Sequence, residues 1–316
     1  MTDCDATPDA CRPAQKTHVA WLPHDEAPSL LGEVPAGLQL VTGANTELSA
    51  SNAAFVVLPQ VPGPEQLAVL AGLPGLKVVQ LMSSGYDHVL AHVPGGVTLC
   101  TARGSHTVPV AEWVLTAILA CTRGLPGYVR RQADGSWDQY ESGTVAGLRV
   151  LLVGYGSIAA AVEARLGPFG VAISRAARHE RPGVHSLADL DDLLGQADIV
   201  VLLLPGGEAT RGLIDRRRLG LLAPGALLVN AGRGSVVDTR AMTDRVRSGR
   251  LRVALDVVDP EPLPPEHELW RLEGSLVTPH VASEVTSRLP TVYGFVGRQL
   301  RSFALGGRLE NVVSDE

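Results

Sequence analysis

"VLLVGYGSIAAAVEARLGPFGVAISRAARHE", residues 150–180, decides the fold. An apolar run ends at Gly154-Tyr155-Gly156 and passes directly into a segment with helical spacing. Strand, glycine turn and helix in this order open a parallel, doubly wound α/β sheet. The spacing Gly154, Gly156, Ala159 is the dinucleotide-binding form of that turn. Gly154 lets the chain turn tightly, and Gly156 leaves room for a pyrophosphate to approach backbone N–H groups at the helix start, where Ser157 and Ile158 follow. Ala159 is small enough for close helix–strand packing. In such sites an acidic residue about 20 positions on accepts from a ribose 2′-hydroxyl. Here that position is Ala177, and Arg178 comes next. Ala177 removes the repulsion an acid would exert on a 2′-phosphate, and Arg178 can pair with one. Arg175 and Arg181 add positive field. NADP(H) is therefore favoured, with NAD(H) possible. The alternative is a solvated basic turn whose arginines touch nothing.

The same pattern extends both ways. Before the turn, "HVAWLP" (18–23), "LQLVT" (38–42), "AAFVVLP" (53–59), "KVVQLM" (77–82) and "VTLCT" (97–101) read as strands, and "PEQLAVLAGL" (64–73) as a helix opening on proline. "TVPVAEWVLTAILACTR" (107–123) reads as a buried helix. After it come "LRVLLVG" (148–154), "VAIS" (171–174), "IVVLLLP" (199–205), "ALLVNAG" (226–232), "RVALDVV" (252–258) and "SLVTPH" (275–280). Near-continuous Val/Ile/Leu runs suit strands covered on both faces. "SLADLDDLLGQ" (186–196) begins with an approximate capping box, Ser186 and Asp189, and residues 283–307 read as a closing helix.

Composition narrows the classes of function. The chain has 316 residues, enough for two domains, with 45% apolar residues. A net charge of −6 with 19% charged residues argues against nucleic acid or an anionic membrane as the main partner. Cys4, Cys11, Cys100 and Cys121 show no metal-ligand pairing, so no metal is expected and a reduced, cytoplasmic context is. The leader of about 17 residues has no apolar core and is expected to be disordered.

Three further motifs stand at strand ends: "LLVNAGRGSVVDTRAM" (227–242), "ALDVVDPEPL" (254–263) and "LVTPHVASE" (276–284). With "KVVQLMSSGYDHV" (77–89), "PVAEWVLTAILACTR" (109–123) and "TRGLID" (210–215), they make the chain from about residue 18 resemble the D-isomer-specific 2-hydroxyacid dehydrogenase family. The resemblance implies a discontinuous, flavodoxin-like substrate domain (1–103 and 284–316) with a Rossmann-type nucleotide domain (104–283) inserted in it. It implies reduction of a small 2-oxo acid to a D-2-hydroxy acid in a cleft between the domains, by a homodimer. It assigns the catalytic arginine to Arg233, the glutamate to Glu261 and the histidine to His280. Asp256 matches the residue near the nicotinamide, and Pro205 a cofactor-loop position. Ser84 and Gly85 match the loop whose amides hold the substrate carboxylate.

Chemistry gives each assignment a reason. Reducing a ketone needs hydride at carbon and a proton at oxygen, and histidine supplies that proton near neutral pH. A neighbouring carboxylate favours the protonated imidazole. A guanidinium grips a planar carboxylate and polarises a carbonyl. Within the same fold, Glu261 argues against formate oxidation, where the family carries glutamine. A nucleotide-sensing corepressor and a phosphite-type dehydrogenase remain alternatives. Arg103 is either a hinge-surface residue or a contact for a second anionic group on the substrate. His24, His88, His92 and His106 read as structural or surface residues, with His24 and His106 possible cleft neighbours.

Overall fold

The computed structural model describes residues 18–43 and 45–313. The leader expected to be disordered, with Cys4 and Cys11, lies outside them. The described chain divides into two compact units, one reaching to Ala102 and resuming at Leu289, the other running from Arg103 to Arg288.

The first unit holds β1 (His18–Leu22), β2 (Leu38–Thr42), β3 (Phe55–Leu58), β4 (Val78–Leu81) and β5 (Thr98–Cys100) in a parallel sheet of order β2-β1-β3-β4-β5. That is the flavodoxin-like winding. Alternate residues of β3 serve opposite cores. Phe55 and Val57 pack on one face with Val292, Val296 and Leu300 of the helix Arg288–Ala304, while Val56 and Leu58 pack on the other with Leu67 and Leu70.

The second unit continues with β6 (Arg149–Val153), β7 (Ala172–Ala177), β8 (His185–Ser186), β9 (Ile199–Leu202), β10 (Ala226–Asn230), β11 (Leu251–Leu255) and β12 (Ser275–Val277). Their order is β12-β11-β10-β9-β6-β7-β8, all parallel, with the reversal of direction between β6 and β9. Leu151 and Val153 face one core, and Val150 and Leu152 face the other. The uninterrupted apolar runs in the sequence record this two-sided burial. Ala176, Val153, Leu202, Asn230, Leu255 and Val277 are register partners, strand to strand. They form one row across the sheet, just inside its carboxyl edge.

Several local expectations are corrected. Ser186 does not open an α-helix through a capping box. Its Oγ accepts from the Ala188 N–H at 3.2 Å and caps a 3₁₀ turn, Leu187–Asp189, after which the helix Leu190–Gln196 begins. β7 runs to Ala177 rather than stopping at Ser174, because β6 pairs with Arg175 and Ala176 and β8 with Ala176 and Ala177. The closing helix starts at Arg288, since residues 283–288 spend their N–H groups in turns (Glu284 to Val281, Val285 to Ser283, Arg288 to Val285). A helix over Leu125–Ala133 had no counterpart in the sequence reading. No single helix among the described residues is long and apolar enough to cross a membrane.

Leu152 is fully buried among Ala111, Val114, Ile118 and Val162. Leu152→Ala is expected to lower stability by about 2–5 kcal/mol, read from the midpoint of urea unfolding.

Candidate active site

Every candidate of the second unit leaves the sheet just beyond the row of register partners. Gly154 follows Val153, Arg178 follows β7, Pro205 follows β9, Arg233 follows β10, Asp256 and Glu261 follow β11, and His280 follows β12. Ligands of doubly wound sheets bind at this edge, near the point where strand order reverses.

Glycines let the loops there approach one another. A Cβ on Gly154, whose φ is +94°, would stand 2.8 Å from the Leu203 carbonyl oxygen. On Gly232 it would stand 2.6 Å from the Leu204 oxygen, and on Gly234 only 1.9 Å from the Val258 oxygen. Gly156 differs, since a Cβ there meets nothing within 4 Å. That open space precedes the first turn of the helix Ser157–Leu166, which carries no side-chain cap. Free space beside uncapped N–H groups fits a pyrophosphate, so the turn is suited to the dinucleotide its sequence implies.

Asn230 shapes the arginine loop. It is 1% exposed, its Oδ1 accepts from the Gly232 N–H at 3.1 Å, and its Nδ2 donates to the Arg233 carbonyl at 3.0 Å. Arg233 Nη1 donates to the Gly232 carbonyl at 2.9 Å. Sequence reasoning missed Asn230 as a positioning residue, although it stands just before the glycines in "NAGRG".

Asp256 acts as a clamp. Its buried carboxylate accepts from Thr278 Oγ1 at 2.6 Å, the Val281 N–H at 2.9 Å and the Ala282 N–H at 2.9 Å. Its own carbonyl accepts from the His280 N–H at 2.8 Å. These bonds fix His280 at a φ of +54°, a conformation that few non-glycine residues adopt. The imidazole then meets Glu261, with Nδ1 to Oε1 at 2.6 Å. The hydrogen bond to Glu261 raises the His280 pKa above its ordinary value. Burial opposes the rise, the charges of Glu261 and Asp256 add to it, and Arg233 pulls it down. With Nδ1 committed to Glu261, Nε2 is the nitrogen free to exchange a proton with a substrate.

At the other end of the row, Ala177 is buried and Arg178 exposed. Arg175 does not add the positive field expected of it. It is bound by Glu163 through two hydrogen bonds, one of them Nε to Oε2 at 2.7 Å, which hold the Glu163 carboxyl below its usual range. Arg181 reaches the glycine turn itself, its Nη2 donating to the Tyr155 carbonyl at 2.5 Å and its guanidinium lying 5.6 Å from the ring centroid. A hollow of about 740 Å³ lies between Ile173–Arg175 and Glu180–His185, and none of the catalytic candidates lines it.

Ser84 and Gly85 belong to the first unit and follow β4. Ser83 Oγ donates to the Gly85 carbonyl at 2.7 Å there, and the Ser83 carbonyl accepts from Ala102 N–H at 2.9 Å. His24, in the same unit, has Nδ1 2.7 Å from the hydroxyl of buried Tyr293.

Comparison with known proteins follows the same lines. Residues 115–282 match the family model for the D-isomer specific 2-hydroxyacid dehydrogenase, NAD binding domain. The chain is 34% identical over 265 residues to a glyoxylate reductase of Thermofilum pendens, covering 78% of each chain. It is 32% identical over 279 residues to a D-3-phosphoglycerate dehydrogenase of Mycobacterium tuberculosis, covering 85% of this chain but about half (49%) of that one. Its fold superposes with a TM-score of 0.81 and 27% identity on an NADPH-dependent glyoxylate/hydroxypyruvate reductase of Sinorhizobium meliloti in complex with NADP and sulfate, covering 95% of this chain and 98% of that one.

Two glycine variants separate packing from ligand approach. Gly234→Ala drives a methyl into the Val258 carbonyl, so a loss of about 3 kcal/mol or more of stability is expected in thermal or urea unfolding. Gly156→Ala is expected to unfold close to wild type but to bind dinucleotide roughly tenfold or more weakly, read by quenching of tryptophan fluorescence.

Proposed function

The chain belongs to the D-isomer specific 2-hydroxyacid dehydrogenase family, and we propose that it reduces a small 2-oxo acid to the D-2-hydroxy acid, preferring NADPH, with His280 as proton donor. It is an oxidoreductase with a nicotinamide-dinucleotide domain and acts on small 2-oxo or 2-hydroxy acids. The observation that carries the finer reading is the His280–Glu261 hydrogen bond of 2.6 Å, held at the sheet edge that also carries the glycine turn and Arg233.

The dinucleotide, when bound, supplies the hydride. The residues do the rest. Arg233 grips the substrate carboxylate and polarises the 2-oxo group. His280, protonated on both nitrogens, keeps its Nδ1 proton on Glu261 and gives its Nε2 proton to the carbonyl oxygen as hydride reaches carbon. Asp256 keeps the imidazole in place, and three accepted hydrogen bonds leave its carboxylate one further lone-pair site for a nicotinamide amide.

Support for NADPH comes from charge. No acid occupies position 177, Arg178 is exposed, and Arg181 stands over the glycine turn. With Arg175 neutralised by Glu163, Arg178 and Arg181 are the cations for a 2′-phosphate. The S. meliloti relative is named as NADPH-dependent, and glyoxylate and hydroxypyruvate are the first substrates to try. The proposal includes a homodimer, measured by light scattering.

Because His280 must be protonated to reduce and its pKa is raised, reduction should hold toward neutral pH and fall as pH climbs through that pKa, with oxidation showing the reverse. Glu261→Gln should move the reduction limb to lower pH. His280→Ala should cut turnover by roughly 10²–10⁴-fold with NADPH binding retained. A His280→Ala enzyme that reduces glyoxylate at the wild-type rate, with chemistry rate-limiting, would sink the proton-donor assignment.

The ratio of kcat/KM with NADPH to that with NADH should favour NADPH, and Ala177→Asp should shift it toward NADH. A tenfold wild-type preference for NADH is the result that would overturn the cofactor reading.

A further inference from the structure

The middle residue of the glycine turn is the hub of a side-chain network. Gly154 and Gly156 have the backbone reasons given above, but a strand–turn–helix junction does not itself call for a tyrosine between them. Tyr155 donates its hydroxyl to Glu163 Oε2 at 2.7 Å, on the helix Ser157–Leu166. Arg175 of β7 holds the same carboxylate through two hydrogen bonds and donates from Nη1 to the Gly183 carbonyl at 3.4 Å. The turn around Gly183 is closed by the Arg181 N–H on the Val184 carbonyl at 3.1 Å and by the Val184 N–H on the Arg181 carbonyl at 2.8 Å. From this turn Arg181 comes back to the hub. Its guanidinium lies 5.6 Å from the Tyr155 ring centroid, and its Nη2 donates to the Tyr155 carbonyl at 2.5 Å. Strand, helix and loop are thus tied to one aromatic ring.

The two exposed arginines that follow β7 differ in this respect. Among the described residues the Arg178 side chain has no hydrogen-bond or ion-pair partner. Arg181 is tethered by one of its five donors, which leaves four unused among the described residues, and no carboxylate pairs with it there. A free arginine loses rotamer entropy when it closes on an anion, whereas a tethered one has lost much of it already. The tether is also in the right place. The Gly154 N–H donates to the Ala176 carbonyl at 2.8 Å, so Tyr155 and Ala177 each stand one residue beyond the same bond. Position 177 is where dinucleotide sites meet the ribose 2′ position, and Tyr155 anchors Arg181 beside it.

We propose that Arg181 reads the 2′-phosphate of the dinucleotide and that Tyr155 is the positioning residue that aims it, with Glu163 and Arg175 bracing the ring. Arg178 adds charge but little discrimination. The inference rests on the NADPH preference proposed above and names the residues that set it.

Adenosine 2′,5′-bisphosphate and adenosine 5′-monophosphate are the probes, since they differ by the 2′-phosphate alone and neither carries a nicotinamide. Their dissociation constants are measured by titration calorimetry on the full chain, so the ratio reads the 2′-phosphate without turnover. Wild type should favour the bisphosphate. Arg181→Met, which keeps the apolar stem, should lower that preference by about tenfold or more, the loss of charge-assisted hydrogen bonds. Arg178→Met should lower it by about threefold or less, as expected of an exposed, untethered charge. Tyr155→Leu should lower it by roughly threefold to tenfold and leave monophosphate affinity within about twofold of wild type, while Tyr155→Phe, which keeps the ring, should retain most of the preference. Equal binding of the two probes by wild type removes the NADPH reading, and this inference with it. A wild-type preference that survives Arg181→Met, or that Arg178→Met alone abolishes, leaves the NADPH reading standing and overturns the assignment to Arg181. A Tyr155→Leu protein in which the ratio is unchanged, or in which both ligands weaken together, overturns the positioning role.

Discussion

Backbone meets backbone at the carboxyl edge of the larger sheet, and the rest of the site depends on that closeness. Gly154, Gly232 and Gly234 stand where any side chain would strike the carbonyl group of the next loop, at Leu203, Leu204 and Val258. They draw together the loops after β6, β9, β10 and β11. The glycine turn and the proposed catalytic side chains thereby share one edge. Such contacts tolerate no added methyl, because a close-packed interior has no free volume to absorb it. The glycines of the motif thus serve two purposes. These three permit assembly, and Gly156 alone keeps space open.

On that frame, a buried acid sets the position of the proposed proton donor, His280. Asp256 spends three of its hydrogen-bonding positions on Thr278, Val281 and Ala282, and so holds His280 in a left-handed conformation it would not adopt alone. Glu261 and Arg233 then act on the imidazole with opposite sign. The carboxylate prevails because it is hydrogen-bonded to the ring, while the guanidinium acts through its charge alone. The result is a histidine that keeps its proton further toward neutral pH than a free one, although its side chain is 45% exposed.

At the cofactor end the balance of charge is also decided by pairing. Three arginines lie within seven residues of sequence, but Glu163 on the adjoining helix takes one of them. Arg181 turns back over Tyr155 instead. Counting basic residues along the chain overstates the positive field, because the count does not show which guanidinium already has a carboxylate.

The sequence by itself determined the fold class, the strands other than β8 and the loops on which Arg233, Glu261 and His280 sit. Uninterrupted Val/Ile/Leu runs report burial on both faces, and the glycine turn reports a strand passing into a helix, both local properties of the chain. Tertiary structure decided what local patterns do not encode. Ser186 has the composition of a capping box yet caps a 3₁₀ turn, and β7 gains three residues because β6 on one side and β8 on the other pair with them. The pairing of Arg175 with Glu163, the clamp of Asp256 on residues 278–282 and the brace of Asn230 all join groups by side-chain geometry. Residue types and spacing name the atoms available for such bonds, but only the packed chain fixes which of them come within reach.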